Sequence, residues 1–406
     1  MRNAPLKSVA KIISGQSPDS ADVTPLNDGH PFIQGNAEFG REYPTPQLQV
    51  TSPRKNAEQG DILLSVRAPV GALNIADRRL GIGRGICAIR PVDADTRFVW
   101  WTLHHQNDLL HSLATGSTFE SISRSDVGSI PIRLVDRGEM RRIAAFLDRE
   151  TAKIDALIAK QEQLIATLRE DRAATITQAV TKGLNPNVEM KDSEIEWLGM
   201  IPQSWEIVTL RRVGTPVIGL TYSPDEVVDP GTASSSLVLR SSNIQDRKLS
   251  LEDCVHVSTH IPDNLRLRSG DILICSRNGS RELIGKNISI DKRTSGETFG
   301  AFMTVFRSEH NKYLFWVFNS NLFDYQKATF LSSTINQLTT SNLKRMEVPL
   351  PPVETQVKIC DSLGVQVRRI DTLIDKSAQM ISTLREYRSA LITDAVTGKI
   401  DVREAV

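Results

Sequence analysis

One helical segment occurs twice in this chain, and this repeat constrains the fold more than any other feature. Residues 154–181 and residues 370–397 align without a gap and share 18 identities in 28 positions. Both copies carry apolar residues at the spacing of one face of an α-helix. The repeat therefore predicts two related halves, each ending in the same long helix.

Capping signals indicate where the two helices begin and end. Asp136 with Glu139 resembles a capping box before the first helix, and Gly183 follows its end. Pro351-Pro352 and Gly398 bracket the second helix. Each helix spans about 45 residues and is therefore roughly 65 Å long, which calls for a partner along its length.

An apolar stripe most often packs against a local core, but two matched stripes of this length favour a coiled coil between the two helices. The predicted coiled-coil seam consists of Ile154, Leu157, Leu164, Leu168, Ile370, Leu373, Met380 and Leu384. If the halves are equivalent, the helices run antiparallel as a rigid spacer with one domain at each end. A pseudo-two-fold axis then relates the halves.

The segments before each long helix also repeat, although more weakly. "QGDILLSVR" at 59–67 matches "SGDILICSR" at 269–277, which predicts a Gly-Asp turn leading into an apolar strand. "FVWW" at 98–101 aligns with "YLFW" at 313–316 in a predicted short helix. We therefore predict an α/β (α+β) protein with two similar mixed domains. The predicted segments are domain 1 at 1–136, the central helix at 137–184, domain 2 at 185–351, and the C-terminal helix with its tail at 352–406.

Composition limits the classes of protein to which the chain can belong. Apolar residues make up 40% and charged residues 24%, as in ordinary globular proteins. No apolar run approaches the roughly 20 residues of a membrane span, and the first residues lack a secretion signal, so a cytoplasmic protein is expected. The four cysteines form no C-x-x-C pair. The net charge of +1 means that any DNA binding requires a local patch or a partner.

Several segments together resemble the specificity subunit of type I restriction-modification systems. They are "MKDSEIEWLGMIPQSWEIVTL" at 190–210, "TLREDRAATITQAVTKGL" at 167–184, "TLREYRSALITDAVTGKIDV" at 383–402 and "LPPVETQVKICDSL" at 350–363. The resemblance covers essentially the whole chain. It implies two target-recognition domains, each reading one half of a bipartite, asymmetric sequence in double-stranded DNA. It also implies two helices that dock two methyltransferase subunits, with ATP-dependent restriction subunits in the full complex.

Motifs for catalysis are missing from the sequence. There is no Asn/Asp-Pro-Pro-aromatic tetrapeptide of an adenine methyltransferase and no G-x-x-x-x-G-K-[ST] loop. We interpret "GIGRG" at 81–85 as a hairpin turn rather than a dinucleotide loop. His104, Asp108 and His111 fit a helix edge better than a metal site. We expect a non-catalytic chain without a cofactor or metal, and the methyl donor, ATP and Mg²⁺ then belong to its partners.

Side chains that read DNA bases are chiefly Arg, Asn, Gln, Ser and Thr, and they are expected in polar segments between strands. In domain 1 the DNA-binding candidates are Gln34, Asn36, Arg67, Arg84, Ser117, Thr118, Glu120, Ser121 and Arg124. In domain 2 they are Arg240, Ser242, Asn243, Arg277, Asn278, Arg281, Ser333, Thr334, Asn336 and Gln337. Each residue alone fits an ordinary surface or turn position better than a base contact, so the clusters carry the prediction.

There are two alternative function classes, and the missing catalytic motifs disfavour the second of them. A coiled-coil scaffold with two protein-binding heads would leave no sequence-selective footprint on DNA. An enzyme with its own active site would transfer methyl groups without a partner. For the DNA reader, a stiff helical pair suits half-sites that recur about every 34 Å on one face of B-DNA.

Overall fold

The computed structural model describes residues 3–114, 121–245, 247–331 and 336–402. The chain divides into two compact units, unit 1 with residues 1–162 and 378–406, and unit 2 with residues 163–377. The division falls within both long helices, so each of them contributes to both units. The sequence-based division differs in giving each long helix a segment of its own.

Unit 1 combines short strands with short helices. Its strands are β1 Asn3–Pro5, β2 Ala10–Ser14, β3 Val23–Pro25, β4 His30–Ile33, β5 Leu48–Val50, β6 Asn56–Ala57, β7 Ile62–Ser65, β8 Leu73–Ile75, β9 Leu80–Ile82, β10 Ile86–Pro91 and β11 Pro131–Arg133. Its short helices are α1 Thr96–His105, α2 Asn107–Leu113 and α3 Arg124–Ser129. The first long helix is α4, Arg137–Lys182.

Unit 2 has the same mixture of elements. Its strands are β12 Met190–Asp192, β13 Met200–Pro202, β14 Glu206–Thr209, β15 Thr215–Ile218, β16 Val227–Val228, β17 Ser236–Leu239, β18 Ile244–Gln245, β19 Lys248–Leu249, β20 Val255–Val257, β21 Ile272–Cys275, β22 Asn287–Ser289, β23 Thr298–Phe299, β24 Met303–Arg307 and β25 Glu347–Leu350. Its short helices are α5 Leu210–Val213, α6 Asn311–Val317, α7 Asn321–Phe330 and α8 Thr340–Arg345. The second long helix is α9, Val353–Thr397.

The sheets of the two units follow one plan. An antiparallel sheet has the order β2-β10-β7-β8 in unit 1 and β15-β24-β21-β22 in unit 2. A second sheet contains one parallel pair, β4 with β9 in unit 1 and β17 with β23 in unit 2. The predicted mixed α/β class and the two long helices are confirmed. Within the described ranges, no helix is both long and apolar enough to span a membrane.

The repeated Gly-Asp turn has the predicted role in both units. Gly60 and Gly270 have φ angles of +87° and +90°, a conformation that favours glycine. Asp61 and Asp271 follow them, and each carboxylate accepts the backbone N–H three residues earlier, at 2.8 and 2.9 Å. The next strands, β7 and β21, are buried along their full length. The turn thus starts a central strand in each unit.

The core of unit 1 takes apolar residues from the beginning of α4 and the end of α9. Ile143 and Leu147 of α4 and Ile392 and Val396 of α9 are buried in one cluster with Phe98 of α1. These helix residues are spaced four apart, so one face of each helix enters the core. The core is therefore built from chain segments far apart in sequence.

The core of unit 2 contains the opposite ends of the two long helices. It takes Ile176 and Val180 from the end of α4, and Ile359 and Leu363 from the beginning of α9. Tyr313 of α6 is fully buried beside them, and its hydroxyl donates toward the carbonyls of Val180 and Pro349 at 3.1 and 2.9 Å. Each unit thus encloses one helix beginning and one helix end.

Ion pairs join the two long helices within each unit. In unit 1 Asp155 pairs with Arg388 at 2.9 Å and Glu162 pairs with Arg385 at 3.2 Å, so the helices run antiparallel there. In unit 2 Arg172 pairs with Asp371 at 2.9 Å. In the repeat, Asp155 corresponds to Asp371 and Arg172 corresponds to Arg388, each 216 residues later. The pair in unit 2 is therefore the equivalent of the Asp155–Arg388 pair in unit 1. The duplicated residues therefore exchange partners between the two copies.

Burial shifts the titration of one histidine in unit 1. His104 of α1 lies against the rings of Trp100 and Trp101, with ring centroids 4.8 and 5.5 Å away. Burial, followed by the positive charges of Arg388 and Arg97, lowers the pKa of His104 to about 4 from 6.5. The folded chain thus disfavours the imidazolium form.

We expect unit 1 to lose stability in mild acid because of His104. Since its folded pKa lies below the unfolded value, the unfolded chain binds more protons between about pH 6.5 and 4, and stability falls as the pH drops through this range. The loss should reach about 2 kcal/mol near pH 4.5, allowing for a ring that is not fully enclosed. Urea unfolding across this pH range should show a smaller loss for His104→Gln. His260→Gln, at an exposed position, is the control, and equal pH profiles for all three proteins would contradict the assignment.

Candidate nucleic-acid interface

Gln34 and Arg84 follow the ends of the two parallel strands of unit 1, β4 and β9. Gly83 donates its N–H to the carbonyl of Ile33 at 2.8 Å, which continues the pairing beyond the strands. The Gln34 side chain donates to Ser17 Oγ at 2.8 Å, and the N–H of Arg84 approaches the same oxygen at 3.4 Å. Both side chains are exposed. The structure thus holds them on one edge of the unit.

Arg67 and Ser121 continue this edge. The N–H of Val66 donates to the carbonyl of Gly85 at 2.9 Å, directly after Arg84. Arg67 and Ser121 then form an isolated antiparallel bridge, and both are exposed. We call the four candidates Gln34, Arg67, Arg84 and Ser121 the edge row of unit 1.

The same backbone contacts recur in unit 2 beyond β17 and β23. Gly300 donates to the carbonyl of Leu239 at 3.0 Å, as Gly83 does to its strand in unit 1. Ser276 donates to the carbonyl of Phe302 at 3.0 Å, and the next residue, Arg277, forms an isolated bridge with Gln337. The positions that correspond to Gln34, Arg67, Arg84 and Ser121 are Arg240, Arg277, Ala301 and Gln337, the edge row of unit 2.

Side-chain contacts fix two arginines of the unit 2 row. Arg240 pairs with Asp253 at 3.0 Å through one Nη atom. The Arg277 guanidinium lies 5.1 Å from the centre of the Phe302 ring, within the range of a cation–π contact. Arg277 remains exposed, and its guanidinium carries five N–H donors in a planar fork.

Some candidates lie close to the rows without belonging to them. Asn336 donates to the Gly279 carbonyl at 3.1 Å, and Arg281 donates to the Leu331 carbonyl at 3.1 Å, so both brace the loops beside Arg277. Asn278 accepts the N–H of Ser280 at 2.9 Å.

In unit 1 the remaining described candidates are Asn36 and Arg124. Asn36 opens a short 3₁₀ turn, in which burial raises the pKa of Glu38. Arg124 is exposed at the start of α3, beside a cleft that Lys7 and Lys11 also line.

The prediction for Asn243 as a base-reading residue needs correction. Asn243 is only 1% exposed, and its amide donates to the carbonyls of Ser250 and Asp253, both at 3.0 Å. The side chain closes a turn, because a buried amide must be satisfied inside the protein. The hydroxyl of Ser242 is also buried, and it has no hydrogen-bond partner among the described residues.

The candidates Ser117, Thr118, Glu120, Ser333 and Thr334 lie outside the described residues.

The predicted coiled-coil seam is only partly buried. Ile154 is buried, whereas Leu168, Ile370 and Leu384 are half-buried. The other four predicted seam residues are 43–50% exposed, namely Leu157, Leu164, Leu373 and Met380. The register of the buried stripe is shifted, because each helix has a second apolar position next to the predicted one. Ile158, Ile165, Ile374 and Ile381 are the more buried neighbours.

The structure also describes the glycine-rich segment 81–85 and the region of the histidine group on α1 and α2. Residues 81–85 do form a turn between strands, but β9 and β10 belong to different sheets, so the turn is not a hairpin. Among the described residues, no group of three His, Cys, Asp or Glu side chains is placed to hold a metal ion.

Sequence reasoning missed three residues at these rows. Ser17 supports Gln34, Asp253 pairs with Arg240, and Phe302 carries Arg277. Asp253 and Ser17 have no local sequence signal, since their partners are 13 and 17 residues away. Phe302 is apolar, and base-reading candidates were predicted only among polar side chains.

Comparison with known proteins gives one family. The family model for the type I restriction modification DNA specificity domain matches residues 2–166 and 259–379. A Methanocaldococcus jannaschii protein, described as the MjaX specificity subunit of a type I restriction enzyme, is 40% identical over 156 residues, 38% of this chain and 37% of that protein. The EcoKI specificity subunit of Escherichia coli K12 is 26% identical over 208 residues, 50% of this chain and 44% of that subunit. Each match thus spans less than half of the relative.

Solved structures show the same fold over nearly the whole chain. A chain from a structure of complex assembly and conformational transition in the type I R-M system superposes with a TM-score of 0.74 and 16% identity, covering 97% of each chain. At this identity the likeness concerns the fold alone.

Proposed function

The chain belongs to the type I restriction-modification DNA specificity family, and on that premise we propose that its two units read the two halves of one bipartite, asymmetric DNA target. The edge rows supply the base-reading side chains. Arginine binds guanine through O6 and N7 in the major groove, and glutamine binds adenine through N6 and N7. Each row contains two arginines and one glutamine.

The observation that carries this proposal is the matched backbone with unmatched side chains. At equivalent positions of the two rows, Arg67 and Arg277 are identical, whereas Gln34 is replaced by Arg240, and Arg84 is replaced by Ala301. One backbone plan with different donors presents different hydrogen-bond patterns to the groove. The two half-sites are therefore expected to differ in sequence.

The charge balance argues that the chain works together with partners. With 49 basic and 48 acidic residues, the isolated chain carries little net attraction for phosphate. We expect weak, salt-sensitive DNA binding by the chain alone. Methyltransferase subunits would add most phosphate contacts and all of the methyl-transfer chemistry.

The exposed apolar residues of the long helices support docking of methyltransferase subunits. Unit 1 exposes Leu157 on α4 and Met380 on α9, and unit 2 exposes Leu164 and Leu373 at the equivalent repeat positions. Because an apolar residue repeated at the same exposed position does not stabilise the free chain, a partner surface is its best explanation. Restriction subunits that require ATP would then join the assembled complex.

Replacing Leu157 and Met380 together with Glu is expected to weaken capture of the methyltransferase at least ten-fold, since two charges would have to be desolvated in the interface. The amount of methyltransferase subunit that the purified chain retains in a pull-down measures this capture. Leu26→Glu, another exposed leucine in unit 1, is the control. Unchanged capture by the double variant would remove the support that these residues give to docking.

Sequencing of methylated positions in cells that express the chain with its methyltransferase tests the function. The proposal expects one sequence in two parts with a fixed gap. The rival reading, a scaffold with two protein-binding heads, expects no methylated motif that depends on this chain. Exchange of one unit for that of a relative should change one half of the motif and leave the other intact.

A further inference from the structure

Phe302 is an exposed aromatic residue on a firmly held backbone. It is 57% exposed, and its carbonyl accepts the N–H groups of Ser276 and Arg277, each at 3.0 Å. The Ser276 hydroxyl also donates to this carbonyl at 3.0 Å. One exposed aromatic residue is ordinary by itself. Its neighbours distinguish it, because the ring lies under the arginine of the unit 2 edge row.

An apolar cleft begins beside the Phe302 ring. The cleft measures about 610 Å³, and Leu220, Tyr222 and Phe302 line its apolar side. Arg240 Nε and Ser242 Oγ belong to residues on its polar side, and both atoms are buried without a hydrogen-bond partner in the described part of the chain. Buried polar atoms nearly always have a hydrogen-bond partner, which here is either an ordered water or a group of a bound molecule.

Unit 1 has no apolar side chain at the corresponding position. Gly85 occupies the place of Phe302, since its carbonyl receives the equivalent bond from Val66. A Cβ atom at Gly85 would lie 2.6 Å from the carbonyl oxygen of Gln34. The backbone of unit 1 therefore excludes any side chain there, and the apolar ring is particular to unit 2.

We propose that Phe302 reads the 5-methyl group of a thymine next to the base pair that Arg277 contacts. The thymine methyl is the one apolar group that a base presents in the major groove, and an aromatic ring is a suitable partner for it. The Arg277 guanidinium lies over the Phe302 ring, 5.1 Å from its centre, so one guanine and one neighbouring thymine would be read together. This inference rests on the proposed function and adds one base feature to the half-site of unit 2.

Deoxyuridine tests the inference because it lacks only this methyl group. Duplexes carry the target sequence that the methylation experiment identifies, with one thymine at a time replaced by deoxyuridine. Their binding to the complex of this chain with methyltransferase is measured at fixed salt. Replacement of one particular thymine in one half-site is expected to lower the affinity of the complex about three- to ten-fold. Phe302→Ala should bind the thymine duplex more weakly by a similar factor and no longer distinguish the two duplexes.

Phe302→Leu keeps an apolar contact and should retain the discrimination. Equal binding of thymine and deoxyuridine duplexes at every position overturns the inference, as does discrimination that survives in Phe302→Ala. A target without an A·T pair in the half-site of unit 2 also overturns it. In each case sequence-specific binding by the complex leaves the proposed function standing, whereas the absence of any specific target removes that function as well.

Discussion

Replacing Arg307 with Met is expected to lower the free energy of unfolding of unit 2 by about 3–5 kcal/mol. Arg307 pairs with Asp271 at 3.0 Å, and the two side chains are 15% and 5% exposed. Its guanidinium also donates to the carbonyls of Asn264 and Arg266 at 2.7 and 2.6 Å. The variant leaves a buried carboxylate without its counter-charge at the start of the central strand β21. Urea unfolding of the full chain, with hydrogen exchange of β21 and β24, measures the loss.

The equivalent pair in unit 1 provides the matched control. Arg90 pairs with Asp61 at 2.7 Å, but Arg90 is 33% exposed, so water reaches this pair more easily. Arg90→Met should therefore cost less, about 1–3 kcal/mol, and its effect should be confined to unit 1. Adding Asp271→Asn to the Arg307 variant should recover part of its loss, because the isolated charge is removed. An Arg307 variant as stable as the parent, or one that loosens unit 1 instead, would contradict this account.

These ion pairs show what the sequence can and cannot disclose about the fold. The Gly-Asp turns are visible as a repeat, because the turn and its strand are local in sequence. The arginine partners are not visible, since Arg307 lies 36 residues beyond Asp271 and reaches it only when two strands pair. Local patterns therefore predicted the elements, and tertiary pairing determined how they are held together.

The helix seam shows the same limit. Leu157 and Ile158 are adjacent apolar residues on α4, and both are compatible with a heptad stripe. Which of them is buried depends on the position of the partner helix and on the core behind it. Helical periodicity thus predicted the paired helices but could not fix their rotation about their own axes.

The predicted DNA-binding residues also differ in how well the sequence indicated their position in the structure. Two polar candidates of each domain meet in an isolated bridge, Arg67 with Ser121 in unit 1 and Arg277 with Gln337 in unit 2. Asn243 was predicted from its residue type and its polar segment between strands, but its amide donates to two carbonyls that close a turn. Repetition in two domains therefore indicated a shared backbone geometry, which residue type alone does not report.

Arg277→Ala is expected to lower the affinity of the complex for its target by about ten- to a hundred-fold and to remove the preference for one G·C pair. A bidentate contact from arginine to guanine is worth about 1–3 kcal/mol, and alanine leaves nothing in its place. Arg67→Ala should have the same effect on one G·C pair of the other half-site, because the two arginines occupy equivalent bridges. Binding to a panel of single base-pair variants at constant salt measures both effects.

Arg293→Ala is the control, since Arg293 is exposed in unit 2 outside the edge row and pairs with Asp291 at 2.7 Å. Arg277→Lys separates geometry from charge, because lysine keeps the charge but loses the planar fork that matches guanine. If Arg277 contacts only phosphate, the alanine variant weakens binding to all sequences alike and reduces the dependence on salt. That result would remove Arg277 from base reading, whereas a lost preference at one G·C pair in each half-site would assign one recognition arginine to each unit.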